Sequence, residues 1–104
     1  MTIRIIAEDE ALTESERQRL QQASGHIPRY FRRIVSIEWR VSRQGHDRRV
    51  SCMVHAASGY YQVGVGSDVT EESIGQALDG IVRQRRRRKA IRETARRHLP
   101  HDAA

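Results

Sequence analysis

The sequence predicts an α+β fold in which a four-stranded sheet is covered on one face by two helices. Two segments, 35–42 and 49–56, alternate apolar and polar residues, as half-buried strands do. Two others, 20–34 and 74–82, repeat apolar residues every three or four positions, as helices with one buried stripe do. With two shorter strand patterns, the element order is β-α-β-β-β-α. One apolar face on each element implies a two-layer sandwich.

The first strand and the first helix are separated by an acidic turn. Three isoleucines in residues 3–6 form a short β-prone run, which the acidic segment 8–10 ends. Thr13 and Glu16 match a capping box, which predicts the start of a helix. Glycine and proline in residues 25–28 predict a kink or break in this helix. Its predicted apolar stripe is Leu20, Ala23, Ile27, Tyr30, Phe31 and Ile34.

Three further strands are predicted, joined by turns at 44–47 and 57–59. The core-facing residues of the second strand are expected to be Val35, Ile37, Trp39 and Val41. Those of the third are Val50, Cys52, Val54 and Ala56, and those of the fourth are Tyr61, Val63 and Val65. The opposite sheet face is expected to be open to solvent, and it carries Ser36, Glu38, Arg40, Ser51, Met53, His55, Tyr60 and Gln62.

The last helix is predicted to begin at a cap formed by Asp68 or Thr70, with Glu71 and Glu72 in its first turn. Its core stripe is Ile74, Ala77, Leu78, Ile81 and Val82. The helical pattern then continues into RQRRRRK at 83–89, where we expect the helix to leave its own core.

Bulk properties favour one intracellular domain. The chain has 104 residues, which suits a single domain at 1–98 followed by a disordered tail at 99–104. Cys52 is the one cysteine, so no intrachain disulfide is possible. No signal peptide or membrane-spanning run is recognisable, so we expect a cytoplasmic protein with no membrane partner.

Charge points to a polyanionic partner. The chain has 19 Lys and Arg residues against 13 Asp and Glu residues, and its formal net charge is +6. Consecutive arginines stay ionised and repel one another, and each guanidinium needs partners for five donors. Because no acidic block offsets the basic run, nucleic acid is the leading partner and a solvated helix end is the less favoured interpretation.

The sequence offers no catalytic constellation. Cys52 and His55 are three residues apart on one strand, so their side chains point to opposite faces. His98, His101 and Asp102 form at most a weak metal site in a tail that is expected to fray. We therefore expect no enzyme activity, no cofactor and no small-molecule substrate.

The chain resembles the family of ribosome hibernation-promoting factors and ribosome-associated inhibitors over about residues 1–92. The resemblance begins with Leu-Thr-Glu at 12–14 and Arg-Tyr-Phe-Arg-Arg-Ile at 29–34, and the segment 55–59 is similar to the family's hairpin. In the last helix the matching residues are Ile74, Leu78, Asp79, Ile81, Arg83, Gln84 and Lys89. The sequence departs from the family pattern at Pro28 and at 68–70, and we expect a short form without the family's long C-terminal extension.

This resemblance implies a short-form protein that lodges in the channel for messenger and transfer RNA on the small ribosomal subunit. It would block translation there by contacting ribosomal RNA, and it would be monomeric off the ribosome. Arg17, Arg83, Arg87 and Lys89 match the family's basic positions, while Arg29 and Arg33 flank the aromatic pair. Together with the rest of the basic run, the candidate RNA-binding residues are Arg17, Arg29, Arg33, Arg83, Arg85, Arg86, Arg87, Arg88, Lys89 and Arg92.

Two alternatives stay open at this point. One is a general module for double-stranded or structured RNA, which would read A-form shape and phosphates with the same helix. The other is a non-enzymatic protein that binds an acidic protein partner.

Overall fold

A computed structural model describes residues 1–8, 12–67 and 70–98. The elements are β1 (Thr2–Ala7), α1 (Glu14–His26), a 3-10 turn (Ile27–Arg29), β2 (Ile34–Gln44), β3 (Asp47–Ala56), β4 (Gly59–Ser67) and α2 (Thr70–His98). This is the predicted order, so the α+β fold is confirmed.

The four strands form one mixed sheet in sequence order. β1 pairs in parallel with β2, and the other two pairings are antiparallel. Trp39 lies opposite Ile5 on one side and Cys52 on the other, and Cys52 in turn lies opposite Val63. Because side chains alternate along each strand, this register places one apolar row on a single face of the sheet.

Both helices cover that face. The buried stripes of α1 and α2 pack with the inner residues of β2, β3 and β4 in one hydrophobic cluster. At its centre, the indole nitrogen of the fully buried Trp39 donates to the Ser24 hydroxyl at 2.8 Å. Ser24 donates in turn to the Leu20 carbonyl at 2.8 Å. α1 is thus fixed to β2 by a satisfied polar contact inside the core.

The capping box predicted for α1 is present. The Glu16 amide donates to the Thr13 hydroxyl at 3.1 Å, and the Thr13 amide donates to the Glu16 carboxylate at 3.0 Å. Glu16 is nearly buried, and its carboxylate also lies 3.9 Å from Arg48 on β3. Glu16, which completes the capping box of α1, therefore also connects this helix to the sheet.

The break predicted at 25–28 is also present, because α1 ends at His26 and a 3-10 turn with Pro28 follows. The single helical stripe predicted as far as Ile34 is wrong beyond this point. Ile27 and Phe31 are buried, but Tyr30 is 38% exposed and Ile34 opens β2. A 3-10 helix has 3.0 residues per turn instead of 3.6, so it rotates the chain by more per residue than an α-helix and carries Tyr30 away from the buried face.

A β-bulge changes the start of β2. Ile34 pairs with Ala56 and Ser36 pairs with His55, so Val35 is the extra residue. Val35, which was predicted to face the core, is 53% exposed, and Ile34 packs against the core in its place. Ile37, Trp39 and Val41 are buried as predicted.

α2 approaches β4 closely at Gly80. A Cβ atom at this position would lie 2.8 Å from Cγ1 of Val63, so a side chain there would clash. Of the predicted stripe, Ile74, Ala77 and Ile81 are fully buried and Leu78 packs against the core, while Val82 is half-buried. Thr70 is the first helical residue; the alternative cap Asp68 and the tail 99–104 lie outside the described residues.

Candidate nucleic-acid interface

The basic half of α2 has two faces with different surroundings. Counting from Ile81, Arg85, Arg88 and Arg92 follow at intervals of four, three and four residues, which keeps them on the helix face of the core stripe. The prediction that the helix leaves its core after Val82 is therefore wrong for this face. Three arginines extend the stripe over the end of the sheet.

Arg88 makes the closest of these contacts. Its guanidinium lies over the ring of the buried Tyr61, with the central carbon 4.2 Å from the ring centroid, and it donates to the Tyr60 carbonyl. Phe31 meets the same tyrosine edge-on, with ring centroids 4.9 Å apart. A guanidinium can occupy such a site because its flat, weakly hydrated face stacks on an aromatic ring.

Arg85 and Arg92 bind backbone carbonyls on either side of Arg88. Nε of Arg85 donates to the Tyr30 carbonyl at 3.4 Å, and Nη2 of Arg92 donates to the Ser58 carbonyl at 3.5 Å. These bonds join α2 to the loop that follows the 3-10 turn and to the β3–β4 turn.

The inward arginines also change the acidity of Tyr61. Burial of the phenol acts to raise its pKa, but the hydrogen bond with Ser58, at 2.8 Å, and the positive charges of Arg85 and Arg88 lower it. The net result is a Tyr61 pKa below the ordinary tyrosine value. The site therefore favours negative charge, as expected of a cluster with unbalanced cations.

The other cations of the basic run are exposed, and we call them the outer row: Arg83, Arg86, Arg87 and Lys89. Within the described part of the chain, no carboxylate lies within 4.0 Å of any of them. Nε of Arg83 donates to the Asp79 backbone carbonyl at 3.5 Å. The outer row is thus available to an external polyanion.

Further cations lie on α1, in the 3-10 turn and in the loop that joins this turn to β2. Arg17, Arg29 and Arg33 are all exposed. Arg33 has a φ of 52°, in the left-handed region, and its carbonyl accepts from the Ala57 amide at 3.1 Å. The backbone of Arg33 is therefore held in a conformation that is energetically unfavourable for most residues other than glycine.

Sequence reasoning missed two members of this surface. The exposed Arg32 lines a depression with Arg85, Lys89 and Arg92, and Arg19 lines the groove between the helices. Neither lies in the long basic run, so charge density alone did not single them out. The i+3 and i+4 spacing from Ile81 was the available signal that Arg85, Arg88 and Arg92 face inward.

The open face of the sheet differs in charge. Arg40 pairs with Glu38 at 3.2 Å and with Glu8 at 3.4 Å, and Arg4 lies 4.0 Å from Glu38. His55 and Tyr60 stack on this face, with ring centroids 4.1 Å apart. Arg4 and Arg40 are therefore paired with glutamates on this face, whereas the outer row of α2 has no carboxylate within 4.0 Å among the described residues.

Cys52 does not form a nucleophilic site. It is fully buried in the core, and burial raises the pKa of its thiol to about 12. His55 lies on the other face of the same strand, stacked on Tyr60. Among residues 1–8, 12–67 and 70–98, no cluster of three metal-ligating side chains is found. The His98, His101 and Asp102 combination involves positions outside the described side chains.

A membrane-spanning helix is likewise not found in the described ranges, where no helix combines sufficient length with sufficient hydropathy.

Comparison with known proteins finds solved structures with a similar fold, among them the two that follow. No protein-family model matches the chain, and no curated protein matches it. A ribosomal subunit interface protein from Coxiella burnetii is 13% identical, with a TM-score of 0.74 over 86% of this chain and 99% of that chain. The N-terminal domain of Protein Y from Thermus thermophilus is 20% identical, with a TM-score of 0.73 over 84% of this chain and 98% of that chain.

At these identities the likeness establishes a shared fold. The fold expected from the resemblance to hibernation-promoting factors is confirmed, and the shared fold extends over most of both chains.

Proposed function

We propose that this protein binds the small ribosomal subunit through the helical side of the sandwich and blocks translation by occupying the channel for messenger and transfer RNA. The observation that carries the proposal is the outer row, Arg83, Arg86, Arg87 and Lys89, which is exposed and lacks carboxylate partners among the described residues. The fold shared with a ribosomal subunit interface protein supports the choice of the ribosome over other polyanions.

The chemistry of the outer row suits ribosomal RNA. Arginine binds phosphate oxygens through two parallel N–H donors, and several arginines on one rigid helix contact several phosphates without further ordering of the backbone. Arg29 in the 3-10 turn lines the same depression as Arg86 and Lys89, and the exposed Arg17 and Arg33 are further candidates for RNA contact. Arg85, Arg88 and Arg92 act mainly by holding α2 in position, since each contacts the protein itself.

Inhibition by this protein is exclusion, with no covalent chemistry and no turnover. One monomer, acting as a single domain in the cytoplasm, would occupy one small subunit. Relief of inhibition then requires only that the protein dissociate.

A pair of matched variants tests ribosome binding. The double substitution Arg86→Ala and Arg87→Ala removes two cations from the outer row, whereas Arg4→Ala and Arg40→Ala removes two from the open sheet face. We expect the first variant to lose co-sedimentation with ribosomes on a sucrose gradient and the second to retain it. Equal behaviour of the two variants would reject the outer row as the binding surface.

Titration of the protein into a cell-free translation system tests the mechanism. Inhibition should saturate near one protein per ribosome and disappear after the ribosomes are washed in high salt. Inhibition far below stoichiometry that survives the wash would indicate a catalytic activity. Binding to RNA duplexes without inhibition of translation would favour a general RNA-binding module. Binding only to acidic proteins would favour a non-enzymatic protein with an acidic protein partner.

A further inference from the structure

α1 and α2 are separated by a groove of about 460 Å³, here called the interhelical groove. Its lining combines apolar and charged groups, and consists of Arg19, His26, Tyr30, Leu78, Asp79, Val82, Arg83 and Arg86. The volume lies in the range of about 300 to 1,000 Å³ that is typical of sites for small organic groups. A flat ring therefore fits the groove by size.

Tyr30 forms a wall of this groove. Its side chain is 38% exposed because the 3-10 turn carries it out of the core, and the Arg85 bond to its carbonyl fixes the backbone. The guanidinium carbon of Arg86 lies over the same ring, 5.7 Å from its centroid. An exposed aromatic ring with a cation beside it is the combination on which nucleic-acid bases stack.

A second depression shares Tyr30 and Arg86 with the interhelical groove. It has a volume of about 410 Å³, and its cations are Arg29, Arg32, Arg85, Arg86 and Lys89. We call it the basic depression. Four of these cations, Arg29, Arg32, Arg86 and Lys89, are exposed, so a phosphate group can reach them.

The interhelical groove suits unpaired RNA better than paired RNA. In a duplex the bases are stacked inside the helix and present only their edges, so they cannot enter a groove beside an aromatic ring. An unpaired nucleotide can insert its base and leave its phosphate outside. Leu78 and Val82 on the groove side of α2 supply the apolar contact that a base requires, and Asp79 supplies an acceptor.

We propose that an unpaired RNA nucleotide binds across Tyr30, with its base in the interhelical groove and its phosphate in the basic depression. This inference rests on the proposed function and narrows it, because it states which form of RNA the helical side recognises. Contacts between the outer row and phosphates alone would not discriminate between unpaired and paired RNA, because both carry the same phosphates.

Three variants test the proposal. Tyr30→Ala removes the stacking surface, Tyr30→Phe keeps it, and Tyr60→Ala removes an exposed tyrosine from the opposite sheet face as the control. Each protein is titrated against a fluorescein-labelled unstructured RNA dodecamer and against a blunt RNA duplex of the same length, with anisotropy as the readout. Ribosome co-sedimentation of the same proteins is measured in parallel, and circular dichroism checks their folding.

We expect the wild type to prefer the unpaired dodecamer. Tyr30→Ala should weaken its affinity for this RNA about tenfold, as truncation of a base-stacking side chain typically does, and leave duplex binding unchanged. Tyr30→Phe and Tyr60→Ala should behave as wild type. The inference is overturned if the wild type does not prefer unpaired RNA, or if Tyr30→Ala loses affinity equally for both RNAs. The proposed function is retained in that case as long as the wild type co-sediments with ribosomes. Failure of the wild type to co-sediment with ribosomes overturns the proposed function itself.

Discussion

The guanidinium of Arg88 lies over the ring of Tyr61, with its central carbon 4.2 Å from the ring centroid, within the basic run of α2. The neighbouring Arg87 is exposed and belongs to the outer row. Two adjacent and chemically identical residues thus have different roles, one in holding α2 to the sheet and one in facing a partner.

Substitution of these two neighbours should separate stability from binding. Arg88→Ala is expected to lower the free energy of unfolding by about 2 kcal/mol, because it removes a cation–π contact and a charged hydrogen bond. Arg87→Ala should change it by less than about 0.5 kcal/mol and weaken ribosome binding instead. Urea unfolding and co-sedimentation of both variants check this, and equal destabilisation would contradict the assignment of the two faces.

Substitution of alanine for Gly80 and for Gly25 should change the stability of the protein in opposite directions. Gly80→Ala places a Cβ against the stiff Val63 side chain and should destabilise the protein by about 1–3 kcal/mol, as overpacking does. Gly25 in α1 has no atom within 4 Å of the new Cβ, so Gly25→Ala should stabilise it by about 0.5–1 kcal/mol through higher helix propensity. Thermal unfolding gives both values. A Gly80→Ala protein as stable as wild type would show that α2 does not approach β4 so closely.

The buried Cys52 thiol should make stability depend on pH above 9. Its pKa is raised from 9.0 to about 12 in the folded state, so the thiol stays neutral there while the unfolded chain ionises near pH 9. Its contribution to stability is therefore complete below pH 9 and is lost as the pH rises from 9 towards 12. At pH 10 the loss relative to pH 7.5 should reach about 1.4 kcal/mol.

The control for this prediction is Cys52→Ala, which retains Tyr61 and every other titrating group. Its stability should fall less steeply between pH 9 and pH 10 than that of wild type, even though the smaller side chain lowers stability at every pH. Parallel curves for the two proteins would show that Cys52 ionises at its ordinary pKa.

Binding to RNA should depend steeply on salt. Each phosphate contact releases counterions and contributes about −0.7 to −0.9 to the slope of log affinity against log salt concentration, so five or six contacts give a slope of about −4 to −5. The double variant Arg86→Ala and Arg87→Ala should reduce the magnitude of this slope by about 1.5. Titrations between about 50 and 200 mM salt measure both slopes, and an affinity that does not change with salt would exclude phosphate contacts.

The sequence by itself determined the element order and most of the core. Alternation in β2 and β3 predicted which side chains are buried, because strand residues two apart always share a face. The capping box at Thr13 and the break before Pro28 were predictable because both depend on local backbone hydrogen bonds. The charge of the basic run predicts a polyanionic partner, which remains a prediction.

Only the tertiary structure decided how far the sheet extends beneath α2, and therefore which arginines face it. A helical period groups Arg85, Arg88 and Arg92 on one face, but only the position of Tyr61 and of the β3–β4 turn gives that face something to contact. The exposure of Val35 depends on a β-bulge, which adds one residue to β2 and reverses the direction in which the Val35 side chain points. The alternating pattern of the sequence does not reveal this bulge. Tyr30 is exposed for a similar reason, because the 3-10 turn changes the rotation per residue at the point where the stripe would have buried it.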